Sequence, residues 1–332
     1  MLVAYHVIGP DPLTGMRVGD HSLYRTALAN GPELWRMPMF TFLSGFVYAH
    51  RPVSAGNVGP FVAKKARRLL IPLVVVSTIA ALVQSVVPST NAPIDLHDLW
   101  RIYIWPFGVY WYLHALFLIF LVMVVLDRFA LVATTRRFAV AFLASVALFF
   151  AAPHAPGTFG LGYAIYLLPF FLWGVGVNRF GRLLEGGVGR GIAMAVGGAG
   201  VIATILVLGF DADIAHDRLS VFGLVVGLCV TLGVQTSRLS NSWLARLGTY
   251  SYAVYLFHVF GTAGARIVVG KVVHVTPVVF VVSLSGGLLV PIAIALLARR
   301  NPWSRLLLLG ESTTPRIQRD GQNRSMEKEA RR

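Results

Sequence analysis

Charge is scarce in this 332-residue sequence. Asp, Glu, Lys and Arg together make up 13% of it, against about 25% in a soluble globular chain. Where charge is missing tells more than the total. No Lys, Asp or Glu stands in the interior of any long apolar stretch, so the acidic coupling residues of ion-driven transporters are lacking. Cysteine is almost absent. The single Cys229 excludes an intrachain disulfide framework and any multi-cysteine metal site, and no metal is expected. The apolar stretches do not alternate apolar and polar residues, which argues against a membrane β-barrel. Neither an internal repeat nor a matched pair of Gly/Pro-broken helices points to an inverted-repeat transporter. Residues 1–9 have no basic leader and no small-residue cleavage site, and do not read as a signal peptide.

What is present in quantity is hydrophobicity: 56% of residues and a mean hydropathy of +0.70. Ten apolar segments follow one another, at 1–9, 32–49, 69–87, 109–126, 138–151, 159–177, 191–210, 219–236, 248–268 and 277–298. Most approach the ~20 residues that span a hydrocarbon core as helix. Helices also satisfy their own backbone where lipid cannot. The fold class is therefore all-α, a polytopic membrane bundle of about ten transmembrane helices in residues 1–300. Residues 301–332 form a basic tail, expected to be disordered beyond about Gly310. The first segment, "MLVAYHVIG", is too short. At ~1.5 Å per residue it covers only about 14 Å, so it reads as a truncated crossing whose missing part lies upstream.

The formal net charge is +15. So basic a chain can signal nucleic-acid binding, but its placement speaks for topology. Arg51, Lys64, Lys65, Arg67 and Arg68 follow the second segment, and Arg128, Arg136 and Arg137 follow the fourth. Arg179, Arg182 and Arg190 follow the sixth, Arg238 and Arg246 the eighth, and the tail adds more. Positive loops stay cytoplasmic. A multi-pass protein with both termini cytoplasmic results, with membrane lipids rather than nucleic acid as its surroundings.

The ionisable residues deep within segments are histidines: His6, His114 and His258. Such a residue is a functional-site candidate. The competing reading is a neutral imidazole hydrogen-bonding between helices. His258 shares a face with Tyr252 and Tyr255, at i, i+3 and i+6. Trp111 belongs to an aromatic belt, "YWY", with His114 one turn deeper. Arg36 lies near a segment end, where it can snorkel. Ser44-Gly45 permits close helix packing. In "KKARRLLIP", Lys65 and Arg68 lie one turn apart with Arg67 between them. The run either holds its loop inside or grips an anion.

Taken in order, "YHV", "MPMFTFLSGF", "KKARRLLIP", "WYLHALFLIF" and "YSYAVYLFHV" resemble the acyltransferase-3 family of integral membrane acyltransferases. The resemblance implies transfer of an acyl group, usually acetyl, from cytoplasmic acyl-CoA. The acceptor it implies is a hydroxyl of a cell-surface glycan or lipid-linked saccharide, and no cofactor is held permanently. It places His6 as the main catalytic group; His258, Tyr252 and Tyr255, on their shared face, are catalytic candidates to orient His6 or steady a developing oxyanion. Lys65, Arg67 and Arg68 fall to the acyl donor. Arg36, Ser44, Trp111, His114 and Tyr252 become candidates for contacting substrate. Lys65 departs from the arginine more usual in the family and loses bidentate phosphate geometry. The family's arginine some ten residues before the histidine falls beyond Met1. A bacterial-type plasma membrane is the implied location. The alternative is a small polytopic transporter or flippase without acyl-transfer chemistry.

Overall fold

The computed structural model describes residues 1–9, 14–19, 22–87, 96–184, 186–210, 217–237 and 241–313. Among them are thirteen α-helices and no strand. They are α1 (Leu2–Ile8), α2 (Glu33–Ala49), α3 (Val58–Val86), α4 (Arg101–Ile104), α5 (Trp111–Arg128), α6 (Thr135–Phe149), α7 (Leu161–Phe180), α8 (Gly187–Gly209), α9 (Val221–Thr236), α10 (Ser242–Gly248), α11 (Ser251–Val269), α12 (Thr276–Ala298) and α13 (Pro302–Leu309).

Among the described residues, six stretches are long and apolar enough to cross a membrane: those of α3, α7, α8, α11 and α12, and α5 together with its lead-in. The chain is a multi-pass membrane protein. Helices α2, α6 and α9, with 17, 15 and 16 residues, fall short of that length, and α1 has seven. Hydropathy counts apolar residues, whereas a crossing needs unbroken helix. Several apolar segments give part of their length to caps and turns. The tail begins as structure: Asn301 accepts hydrogen bonds from the backbone of Trp303 at 2.8 Å and Ser304 at 3.4 Å, and so caps α13. Residues 314–332 of the expected disordered tail lie outside the described residues.

Helix α7 lies at the centre, packed against α2, α5 and α6. Two-thirds of its apolar window is buried, against 22% for α8 and for α12, which leaves those two as lipid-facing walls. Ser44-Gly45 is the packing notch of α2. A Cβ on Gly45 would strike the carbonyl of Phe171, so only glycine lets α2 and α7 approach this closely. At one end of the bundle, Asp127 accepts from Arg179 Nη2 at 3.2 Å and from the Tyr48 hydroxyl. This ties α2, α5 and α7 together.

Helix α1 is held from the side. It packs on α11, α12 and a π-helical turn, Arg25–Asn30. Its last carbonyls, which no further turn can satisfy, find donors elsewhere. Met16 N reaches the carbonyls of Val7 and Ile8 at 3.1 and 3.2 Å, and buried Arg25 reaches that of Gly9 at 3.1 Å.

Candidate active site

Three elements bring His6 and His258 together. The Gly286-Gly287 step of α12 lets α11 and α1 approach. A Cβ on Gly287 would run into Thr262 of α11 and Val3 of α1. In the seam so formed the two imidazoles lie 4.8 Å apart, centroid to centroid, and tilted by 50°. His258 is fully buried. Its Nδ1 lies 2.9 Å from the Val254 carbonyl and 2.8 Å from that of Tyr255. Carbonyl oxygens only accept, so Nδ1 carries the proton and Nε2 of the neutral ring keeps its lone pair. That Nε2 is buried without a hydrogen-bond partner among the described residues. A bare imidazole nitrogen beside a second imidazole can accept a proton or steady one held by its neighbour.

Tyr5 packs edge-on against His6, with centroids 4.8 Å apart. The Arg36 guanidinium stacks over the other side of this contact, 3.5 Å from the Tyr5 ring centre. Its Nη1 reaches the Ala29 carbonyl at 3.4 Å. Arg36 therefore stands next to the histidine pair, buried by stacking rather than snorkelling. Tyr5 gave no signal beyond its place beside His6.

The α11 face expected from i, i+3, i+6 spacing is present and leads away from the pair. Tyr255, one turn from His258, donates its hydroxyl to the Val109 carbonyl at 2.5 Å and lies against Tyr112. The Tyr112 hydroxyl is 3.4 Å from Ser44 Oγ. This places Ser44 on the same polar thread. One turn further, Tyr252 donates to the Arg68 carbonyl, and the Arg68 guanidinium sits 4.0 Å over the Tyr252 ring. The stripe is a packed seam, since Tyr112, Tyr255 and His258 are all buried.

Of the basic run in α3, Lys65 holds its ammonium 3.5 Å above the Phe120 ring. Arg67 keeps Nε buried and without a hydrogen-bond partner among the described residues. Arg68 turns to the segment after α13, where its Nη1 meets the Leu309 carbonyl and Glu311. Residues 309–311 were unmarked in the sequence, because nothing in an Arg- and Ser-rich tail announces a docking helix.

His114 and Trp111 stand apart from this line. His114 Nε2 lies 3.2 Å from the Tyr103 carbonyl and its ring packs edge-on against Phe159. Trp111 stacks on Tyr163 with centroids 4.4 Å apart. Tyr163 lines a cavity of about 230 Å³ with Gly157, Tyr166 and Arg218, at the end of α7 opposite Arg179. Among the described residues no three His, Cys, Asp or Glu side chains gather closely enough to hold a metal ion.

No curated protein and no solved structure matches the chain significantly. A family model described as an acyltransferase domain, that of the acyltransferase-3 family, matches residues 1–296. The match takes in α1 with His6, the basic run of α3, the α11 stripe and nearly all of α12. By that match the chain belongs to the acyltransferase-3 family and is a membrane acyltransferase.

Proposed function

We propose that this enzyme moves an acyl group, acetyl in the simplest case, from acyl-CoA on the cytoplasmic side to a hydroxyl of a saccharide or lipid-linked glycan on the other. The observation that carries the reading is the His6–His258 pair, joined by the Tyr255–Tyr252 face of α11 to Arg68. One rail thus runs from a cationic end of the bundle to two imidazoles, His258 fully buried and His6 partly so. The basic loops support a cytoplasmic position for that cationic end. With α1, α2, α6 and α9 counted as crossings beside the six longer spans, the bundle makes ten. The setting proposed is a bacterial-type plasma membrane.

Acyl-CoA carries its charge on phosphates, and Lys65, Arg67 and Arg68 offer cations to receive them. Its pantetheine arm then follows the α11 rail, displacing Tyr112 and Tyr255 from their packed positions. At the far end His6 takes the proton of the acceptor hydroxyl as its oxygen attacks the thioester carbonyl. The new C–O bond forms, the C–S bond breaks, and the thiolate recovers the proton from His6. General-base assistance of this kind contributes about 10²–10⁴ in rate. His258 Nε2 steadies the charged His6, and Arg36 faces the incoming acceptor. Trp111 and the Tyr163–Arg218 cavity stand on the acceptor side.

The test is acyl transfer from labelled acetyl-CoA in membranes, read with mass spectrometry of surface glycans and lipids. His6→Ala, expressed at the wild-type level, is expected to remove the O-acyl mass difference. Full transfer by that variant refutes the assignment. An acyl group trapped on His6 would instead make the imidazole a covalent carrier.

A further inference from the structure

Past the last residue matched by the family model stand Arg299 and Glu311, and with Arg68 of α3 they bring two arginines onto one carboxylate. Arg299 donates to Glu311 twice, from Nη2 to Oε1 at 3.0 Å and from Nε to Oε2 at 3.4 Å. Arg68 Nη1 reaches the same Oε1 at 3.5 Å and the Leu309 carbonyl at 2.5 Å. Each guanidinium lies over a tyrosine of one corner of the fold: Arg68 over Tyr252 at 4.0 Å, Arg299 over Tyr250 at 5.5 Å. The corner is firmly seated. Gly310 ends α13 at φ +60°, and a Cβ there would fall 2.5 Å from the Arg67 carbonyl and 2.7 Å from Arg68 Cα. The three side chains stay partly open, at 35%, 36% and 25% exposure for Arg68, Arg299 and Glu311.

Among the described residues, two guanidinium groups around a single carboxylate leave a positive charge unbalanced. A phosphate brings more charge and a third oxygen, and guanidinium groups accept it in the same bidentate manner. We infer that Arg68 and Arg299 form a phosphate clamp and that Glu311 is its built-in placeholder, displaced when a phosphate arrives. The inference rests on the proposed function for the source of that phosphate, the acyl donor. A phospholipid headgroup at the same membrane face carries the same chemistry. Arg299 thereby joins the donor site, and the stretch after α12 becomes a competitor for it.

The experiment measures binding of coenzyme A to the full-length protein in zwitterionic nanodiscs. Glu311→Gln is expected to bind about fivefold more tightly than wild type. Arg299→Ala is expected to bind about tenfold more weakly, and Glu311→Gln should add nothing on that background. A thermal scan and Arg299→Lys separate loss of the clamp from loss of the fold. Equal or weaker binding by Glu311→Gln overturns the inference and makes Glu311 a brace. If wild type binds no coenzyme A, the acyl-CoA reading falls and nanodiscs containing phosphatidic acid decide the clamp. Retention of that lipid that depends on Arg299 and rises in Glu311→Gln assigns the clamp to headgroups. No such dependence overturns it.

Discussion

Two fully buried histidines in this bundle spend their hydrogen bonds in opposite ways. His258 commits Nδ1 to carbonyls of its own helix. It is held in orientation without being tied across helices, and Nε2 is left next to His6. His114 uses Nε2 on the Tyr103 carbonyl, 11 residues back along the chain, and so fastens α5 to the stretch before it. Burial alone does not mark a working imidazole. Each ring keeps one buried nitrogen without a hydrogen-bond partner among the described residues, but only that of His258 stands beside a second imidazole, whereas His114 bridges two segments and packs on Phe159.

The largest test of this contrast is substitution of the rings. His258→Ala is expected to lower acyl transfer by about 10²-fold or more, in line with loss of proton handling, while the protein still accumulates in membranes. His114→Leu should keep kcat within a few fold. It should lower stability by about 1–3 kcal/mol, because the Tyr103 carbonyl loses its donor, and thermal unfolding in detergent reads this. Equal loss of activity in both variants would break the distinction.

Glycines beside the two rings sharpen it. Gly287→Val pushes on Val3 and Thr262, with the His258 carbonyl just beyond. A misplacement of about 1 Å at the reacting groups costs up to 10²-fold in rate, so kcat should drop while acyl-CoA binding holds. Gly160 sits at φ +70° with its absent Cβ 3.0 Å from that of His114. Gly160→Ala should lower the unfolding temperature, at a cost of about 1–2 kcal/mol, and leave kcat alone. The smallest effect belongs to the polar thread between the regions. Ser44→Ala removes a 3.4 Å contact with Tyr112 and should change stability by no more than about 1 kcal/mol. A tenfold loss of activity there would move Ser44 into the chemistry.

The α11 face was legible in the sequence because i, i+3, i+6 spacing is a local property. His6 beside His258 was not legible from residues alone, since 252 positions separate them and only the Gly287 seam joins them. The family resemblance supplied His6 its role and His258 was expected to orient it, but the seam that sets their spacing was not visible. Lys65 and Arg68 were visible as a pair, yet their side chains diverge, one to Phe120 and the other to Glu311. Asp127 is the shared acceptor of Tyr48 and Arg179, a role that its place just past an apolar segment does not mark. Apolar composition runs through caps and short turns where helix does not, so of the ten segments read as crossings six stretches among the described residues have full crossing length.

The seating of α1 has a consequence for inheritance of change along the chain. His6 rides on a two-turn peg wedged between the last two long helices, so its height in the bilayer is set by residues more than 250 positions downstream. A bulkier side chain at the α12 seam acts on the first helix as directly as a substitution within it. Positions 3, 262 and 287 must therefore drift together, and a change tolerated at one of them is paid for at another.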